Sequence, residues 1–325
     1  MRPSTPARVS PVLDKYINKF YTDATGQKFV VKMERDDISK IGDFLNERGT
    51  NIWFGFFDFD KSEYKNMVES AAQGMFISPA LLKLHNDKLS SDISVIIPVR
   101  DGTVDKALVS ELLMHELMHA YIQWKDIKTG RVSSPFNIVR RIRDAVRNMA
   151  HPHKYTYSQL LQKNDYVDPS RYFKNKVQLF SRVLAYACQS GEINANLASV
   201  DAFLYENGGN TKKLAKCRTI EFMARVRKYF NFICENATDV DWKWIYKNAT
   251  YIYKTDTESI QHFKKRYITY YTKVLNDFDA KVKKISEKYI IKNSENEFAR
   301  GASKLRMTGA KRRVYKLPEN AVKSR

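Results

Sequence analysis

His115, Glu116 and His119 stand together in "SELLMHELMHAYIQW" (110–124). On a helix, residues four apart lie about 40° apart around the axis, so the two imidazoles stack on one face. Glu116 lies about 100° from His115, close enough to reach beside a metal without ligating it. This is the HExxH spacing, in which two imidazoles bind Zn²⁺ and the glutamate serves as general base on a metal-activated water. Leu112, Leu113, Met114, Leu117, Met118, Ala120, Tyr121 and Ile122 make the surrounding run almost unbroken in its apolarity. An acid and two imidazoles among leucines are costly to bury unless they find partners, and a metal supplies them.

A tetrahedral zinc site that keeps one position open needs one further protein ligand. Glu192, in "SGEINANLASV", stands in the first turn of an expected helix. Ala195, three residues on, lets that helix approach another closely. A carboxylate from a crossing helix would complete a His₂Glu set, and Asn196 on the same face could hold a ligand imidazole by its other nitrogen. A second reading of Glu192 is an acid favoured by the helix dipole. The alternative ligands are His151 and His153, which flank a proline 32 and 34 residues past His119. An oxyanion-stabilising group is also needed; Tyr205 and Tyr186 are candidates among 19 tyrosines.

"HELMH" followed far downstream by "EINA" resembles a gluzincin-type zincin metallopeptidase. The resemblance implies one Zn²⁺ held by His115, His119 and Glu192, with Glu116 as base and proton shuttle. It implies a zincin-like small mixed sheet, and a strand before the active helix, here "DISVIIPV" (92–99), that edges the cleft and pairs with an extended peptide. "HELMHAY" is also similar to SprT-like DNA-dependent proteases, although "IQWKDIKTGRVSSPFNIV" after it carries no histidine. The Lys-, Asn- and Tyr-heavy composition resembles proteins of large tailed phages, some of which carry HExxH.

The elements that must position these residues read as α+β. Strands are expected at 27–33, 51–60 and 92–99, with a helix ending at Gly49 and the motif helix at 105–124. From about residue 135 the pattern is helical: 135–149, 171–189, 191–206 stopped by Gly208-Gly209, and a long helix from 257 towards 298. The expected organisation is a disordered arm (1–10), an α+β part (11–125), a mainly α-helical part supplying the third ligand (126–300) and a basic tail (301–325).

The net charge of +20 is unevenly placed. Residues 1–125 hold 16 Lys/Arg and 17 Asp/Glu, whereas 126–325 hold 40 and 19, a net of +21. Such a half fits an acidic partner, nucleic acid or protein, with Lys311, Arg312 and Arg313 in the tail as contacts; a solvated Lys-rich surface explains it equally. "FKKRYITYY" (263–271) interleaves basic and aromatic residues as single-strand binders do, or is a helix with a basic outer face. Three scattered cysteines fit reduced thiols rather than a disulfide frame. No signal segment or apolar span is visible, which fits a cytoplasmic or virion-associated protein without a membrane partner. Two functions compete: a zinc metallopeptidase acting on protein or peptide, and a basic virion-structural or nucleic-acid-binding protein built on a vestigial zincin fold.

Overall fold

The computed structural model describes residues 9–23, 29–47, 49–58, 74–77, 92–99, 103–129, 175–248 and 258–307. Helix α1 (Ser10–Asp23) precedes strand β1 (Phe29–Lys32), short helices α2 (Arg35–Ile41) and α3 (Asp43–Glu47), and β2 (Asn51–Asp58). Next come β3 (Gly74–Ile77), β4 (Asp92–Val99) and α4 (Lys106–Lys128). Every later described element is helical: α5 (Lys176–Ala187), α6 (Ser190–Glu206), a 3-10 turn (Thr211–Lys216), α7 (Arg218–Asn236), α8 (Asp239–Asn248) and α9 (Ile260–Met307). The class is α+β.

The strands form one mixed sheet in the order β1-β2-β4-β3. β2 and β4 are parallel, and β1 and β3 run antiparallel to their neighbours. Strand side chains alternate between faces. Ile52 and Phe54 of β2 therefore share a buried face with Ile93, Val95, Ile97 and Val99 of β4. α4 covers that face with Val109, Leu113, Leu117, Ala120 and Tyr121, spaced three or four apart, in a core joined by α1, α2 and α3. One expectation is corrected here. The strand at 92–99 does not edge the sheet along its whole length: β3 pairs with Asp92–Val95, and only Ile96–Val99 have no strand partner on that side among the described residues.

Asp37 of α2 fastens α1 to this core. Its buried carboxylate accepts hydrogen bonds from Tyr16 Oη (2.7 Å), Lys40 Nζ (2.7 Å) and Lys15 Nζ (3.0 Å). Lys40 first, then Tyr16 and Lys15, hold the carboxyl well below the usual range, while burial pushes the Tyr16 hydroxyl up to about 12. A carboxyl depressed by folding contributes stability that is complete above its unfolded pKa and is lost as pH falls through the folded one. Asp37→Asn is therefore expected to lower Tm at neutral pH and to flatten its decline below about pH 4. Thermal melts over a pH series check this.

The helical part has its own core, built from Val183 and Leu184 of α5, Val226 and Phe230 of α7, Trp242 of α8, and Phe263, Tyr267, Tyr271, Leu275 and Phe278 of α9. The aromatics of "FKKRYITYY" thus serve mainly as core: Phe263, Tyr267 and Tyr271 are buried, and the stretch is not an open stacking platform. α9 spans about 72 Å at 1.5 Å per residue. Tyr289 ties it to α6 by donating to Asp201 Oδ1 at 3.0 Å. α9 continues through 301–307, so the first residues of the expected tail are helical. At the other end Val9 is buried and Ser10 opens α1, so the arm expected over 1–10 does not reach these two residues. The helix expected at 135–149 lies outside the described residues. Cys188, Cys217 and Cys234 are free thiols. Among the described residues no helix is long and apolar enough to cross a membrane.

Candidate metal centre

The site forms where α6 lies along α4. Three contacts fix the register. Glu192 meets His115 and His119, Ser199 Oγ donates to the Glu111 carbonyl (3.0 Å), and Ser110 Oγ donates to Glu206 Oε1 (2.8 Å). Numbers fall on α4 as they rise on α6, so the two helices are antiparallel. Glu192, Ala195, Ser199, Ala202 and Glu206 follow three- and four-residue steps along α6, which places them on one face. The three small residues of that stripe are buried, and they allow close approach to α4. At the far end Lys106 bridges Glu206 (3.8 Å) to Asp14 of α1 (2.6 Å). Ala195→Leu should force the helices apart. The expected cost is about 1–3 kcal/mol of stability, read by thermal melts.

His115 Nε2 and His119 Nε2 are 3.2 Å apart, and each lies 3.4 Å from a different oxygen of Glu192. Four ligands arranged tetrahedrally at zinc–nitrogen distances of 2.0–2.1 Å are separated by about 3.3 Å. A charge-assisted N–H···O bond is shorter, about 2.7–2.9 Å. The three side chains thus converge, one ligand atom from each lying within 4.8 Å of the others, at separations a bound cation could span. The rings are crossed at 75°. Side-chain exposures of 21% for His115, 22% for His119 and 11% for Glu192 leave one side of the group accessible.

The charges suit a cation. Burial alone would raise the Glu192 carboxyl, but hydrogen bonding from His115 and His119 overrides it and holds the group well below the usual carboxylate range. Burial opposes a charged His115 as well; Glu192, Glu116 and Glu111 outweigh it and raise the imidazole's pKa above its ordinary value. Two imidazoles and one carboxylate, all able to reach one point, are the donor set zinc takes with a position left over. This is the group of three or more His, Cys, Asp or Glu with metal-holding geometry among the described residues.

Glu116 is buried at 6% exposure, and its charge acts on the neighbouring His115. Other expected site residues fall elsewhere. Asn196 is buried one turn past Glu192, but its Nδ2 turns towards Met223 Sδ of α7 (3.7 Å) rather than to an imidazole. Tyr205 is exposed at the far end of α6. Thirteen residues past Glu192 it lies about 20 Å away along the helix, too far to stabilise an oxyanion. Tyr186 is half-buried on α5. His262 pairs with Glu258 at 3.5 Å, away from the group. His151, His153, Lys311, Arg312 and Arg313 lie outside the described residues. The sequence reading missed Glu111, which is buried one turn before His115 and receives hydrogen bonds from the start of α7. Its signal was an acid inside the apolar run, four residues before His115.

No protein-family profile, curated protein or solved structure matches this chain.

Proposed function

We propose that this chain is a zinc-dependent metallopeptidase with a zincin-like architecture. The observation that supports it most is the convergence of the two imidazole Nε2 atoms, 3.2 Å apart, on the Glu192 carboxylate, each 3.4 Å from one of its oxygens. Bound there, zinc would supply a Lewis acid that polarises the scissile carbonyl and acidifies a water. His115 and His119 orient the site from a helix locked into the sheet core. Glu192 contributes the neutralising charge from the crossing helix. Glu116 takes the proton of the attacking water on its carboxylate and delivers it to the leaving amine. The apolar wall of α4, with Leu113 and Leu117 fully buried, holds these groups rigid. An extended peptide would pair at the β3 end of the strand order, on β3 or on the Ile96–Val99 stretch of β4 that β3 leaves uncovered.

The basic half fits a tether to an acidic partner, nucleic acid or protein. Residues 260–307 alone carry 12 Lys/Arg against 5 Asp/Glu, and the described stretch of this helix is well packed along one side only.

Incubation with an unfolded protein substrate tests the peptidase reading. Cleavage is expected to stop on treatment with a zinc chelator and to return on adding back one equivalent of zinc. Cleavage that persists in chelator would exclude a metal-dependent reaction.

A further inference from the structure

We propose that Glu111 is a positioning residue that keeps His115, His119 and Glu192 in metal-binding register; this rests on the metal reading above. Glu111 sits one turn before His115 on α4 at 2% exposure. Its carboxylate accepts from the Thr219 backbone N–H and the Thr219 hydroxyl, both at 2.6 Å. Arg218 N–H donates to it at 3.3 Å and the Cys217 thiol at 3.4 Å. Cys217, Arg218 and Thr219 are the N-cap and first two residues of α7. A helix start leaves amides unpaired and carries partial positive charge, so a carboxylate from α4 caps α7.

The same residue also grips α6. Its main-chain carbonyl accepts from Ser199 Oγ at 3.0 Å. α7 in turn touches α6 through Met223 and Asn196, one turn past Glu192. Glu111 therefore closes a loop of contacts from the histidine helix to α7, from α7 to α6, and from α6 back to the imidazoles. A metal site tolerates displacements of only about 0.5 Å. A clamp that joins all three helices within one turn of His115 is placed to meet that tolerance. Burying a carboxylate is costly without such donors, so the arrangement depends on α7 being docked.

Zinc dissociation constants of the full chain, from chelator competition, test this at a temperature where circular dichroism shows each variant folded. The visible spectrum of bound Co²⁺ reports ligand geometry in parallel. Glu111→Ala is expected to weaken zinc about 10- to 100-fold and to change the Co²⁺ band. Glu111→Gln, which keeps one acceptor oxygen, should fall between parent and alanine variant. Thr219→Val, which leaves the carboxylate in place, should weaken zinc measurably but less than Glu111→Ala does. Should Glu111→Ala fail to fold, the glutamine and valine variants decide. Lower Tm with parental zinc affinity and an unchanged Co²⁺ band would reduce Glu111 to a stabilising cap and overturn the proposal. A parent protein that binds no zinc overturns the metal reading itself, and this inference with it.

Discussion

Glu116→Gln should lower peptide-bond cleavage by about 10²- to 10⁴-fold while zinc content stays at the parental level. Glutamine matches the buried glutamate in shape, so the core around Leu113 and Leu117 has no reason to repack. What it would lose, on the proposed mechanism, is the ability to take a proton from water and return it to the leaving amine. Glu116 is not one of the three converging donors, so metal affinity should not follow activity. Rates on a peptide substrate, beside zinc content and Tm, separate these effects. Cleavage retained at more than about a tenth of parent would place the base on another residue.

Glu192→Ala should act at the earlier step. It removes the one anionic donor and leaves two imidazoles whose Nε2 atoms are 3.2 Å apart. Zinc affinity should fall at least about 100-fold, beyond the range seen when a residue merely supporting a ligand is lost. Activity should fall with it and recover in part at high zinc concentration. Glu116→Gln should not respond to added zinc. The fold should survive, because Ser199 and Ser110 still hold α6 on α4 through Glu111 and Glu206. Calorimetric zinc titration of the folded variant measures the loss.

What could be read from the sequence was local. His115, Glu116 and His119 are fixed relative to one another by a single helical turn, so their spacing alone carries the geometry. Glu192 lies beyond 72 intervening residues. It was visible only through its surroundings, an acid in the first turn of a helix whose next inward residue is the small Ala195. The strands at 29–32, 51–58 and 92–99, expected at 27–33, 51–60 and 92–99, were legible from β-favouring aliphatic and aromatic runs. Their lateral order was not, because it rests on pairings between strands far apart in sequence, such as the parallel pairing of β2 with β4.

The misplaced residues share one cause. Asn196 and Tyr205 were assigned by lying on the helix of Glu192, but a shared helix fixes neither direction nor distance. Asn196 faces α7 and Tyr205 is more than three turns away. Glu111 went unrecognised because its role is tertiary: its partners lie more than a hundred residues on, at the start of α7. α9 ran past the expected end near 298 because nothing there is strong enough to stop a long helix, and Gly301 is carried within it.

The most direct measurement is zinc bound per folded chain, determined by atomic emission after dialysis against metal-free buffer, in parent, His119→Ala and Glu192→Ala proteins. One zinc per parent chain and none in either variant is the predicted result. A folded parent protein that holds no zinc, or variants that hold as much as the parent, would contradict the assignment of His115, His119 and Glu192 as a metal centre.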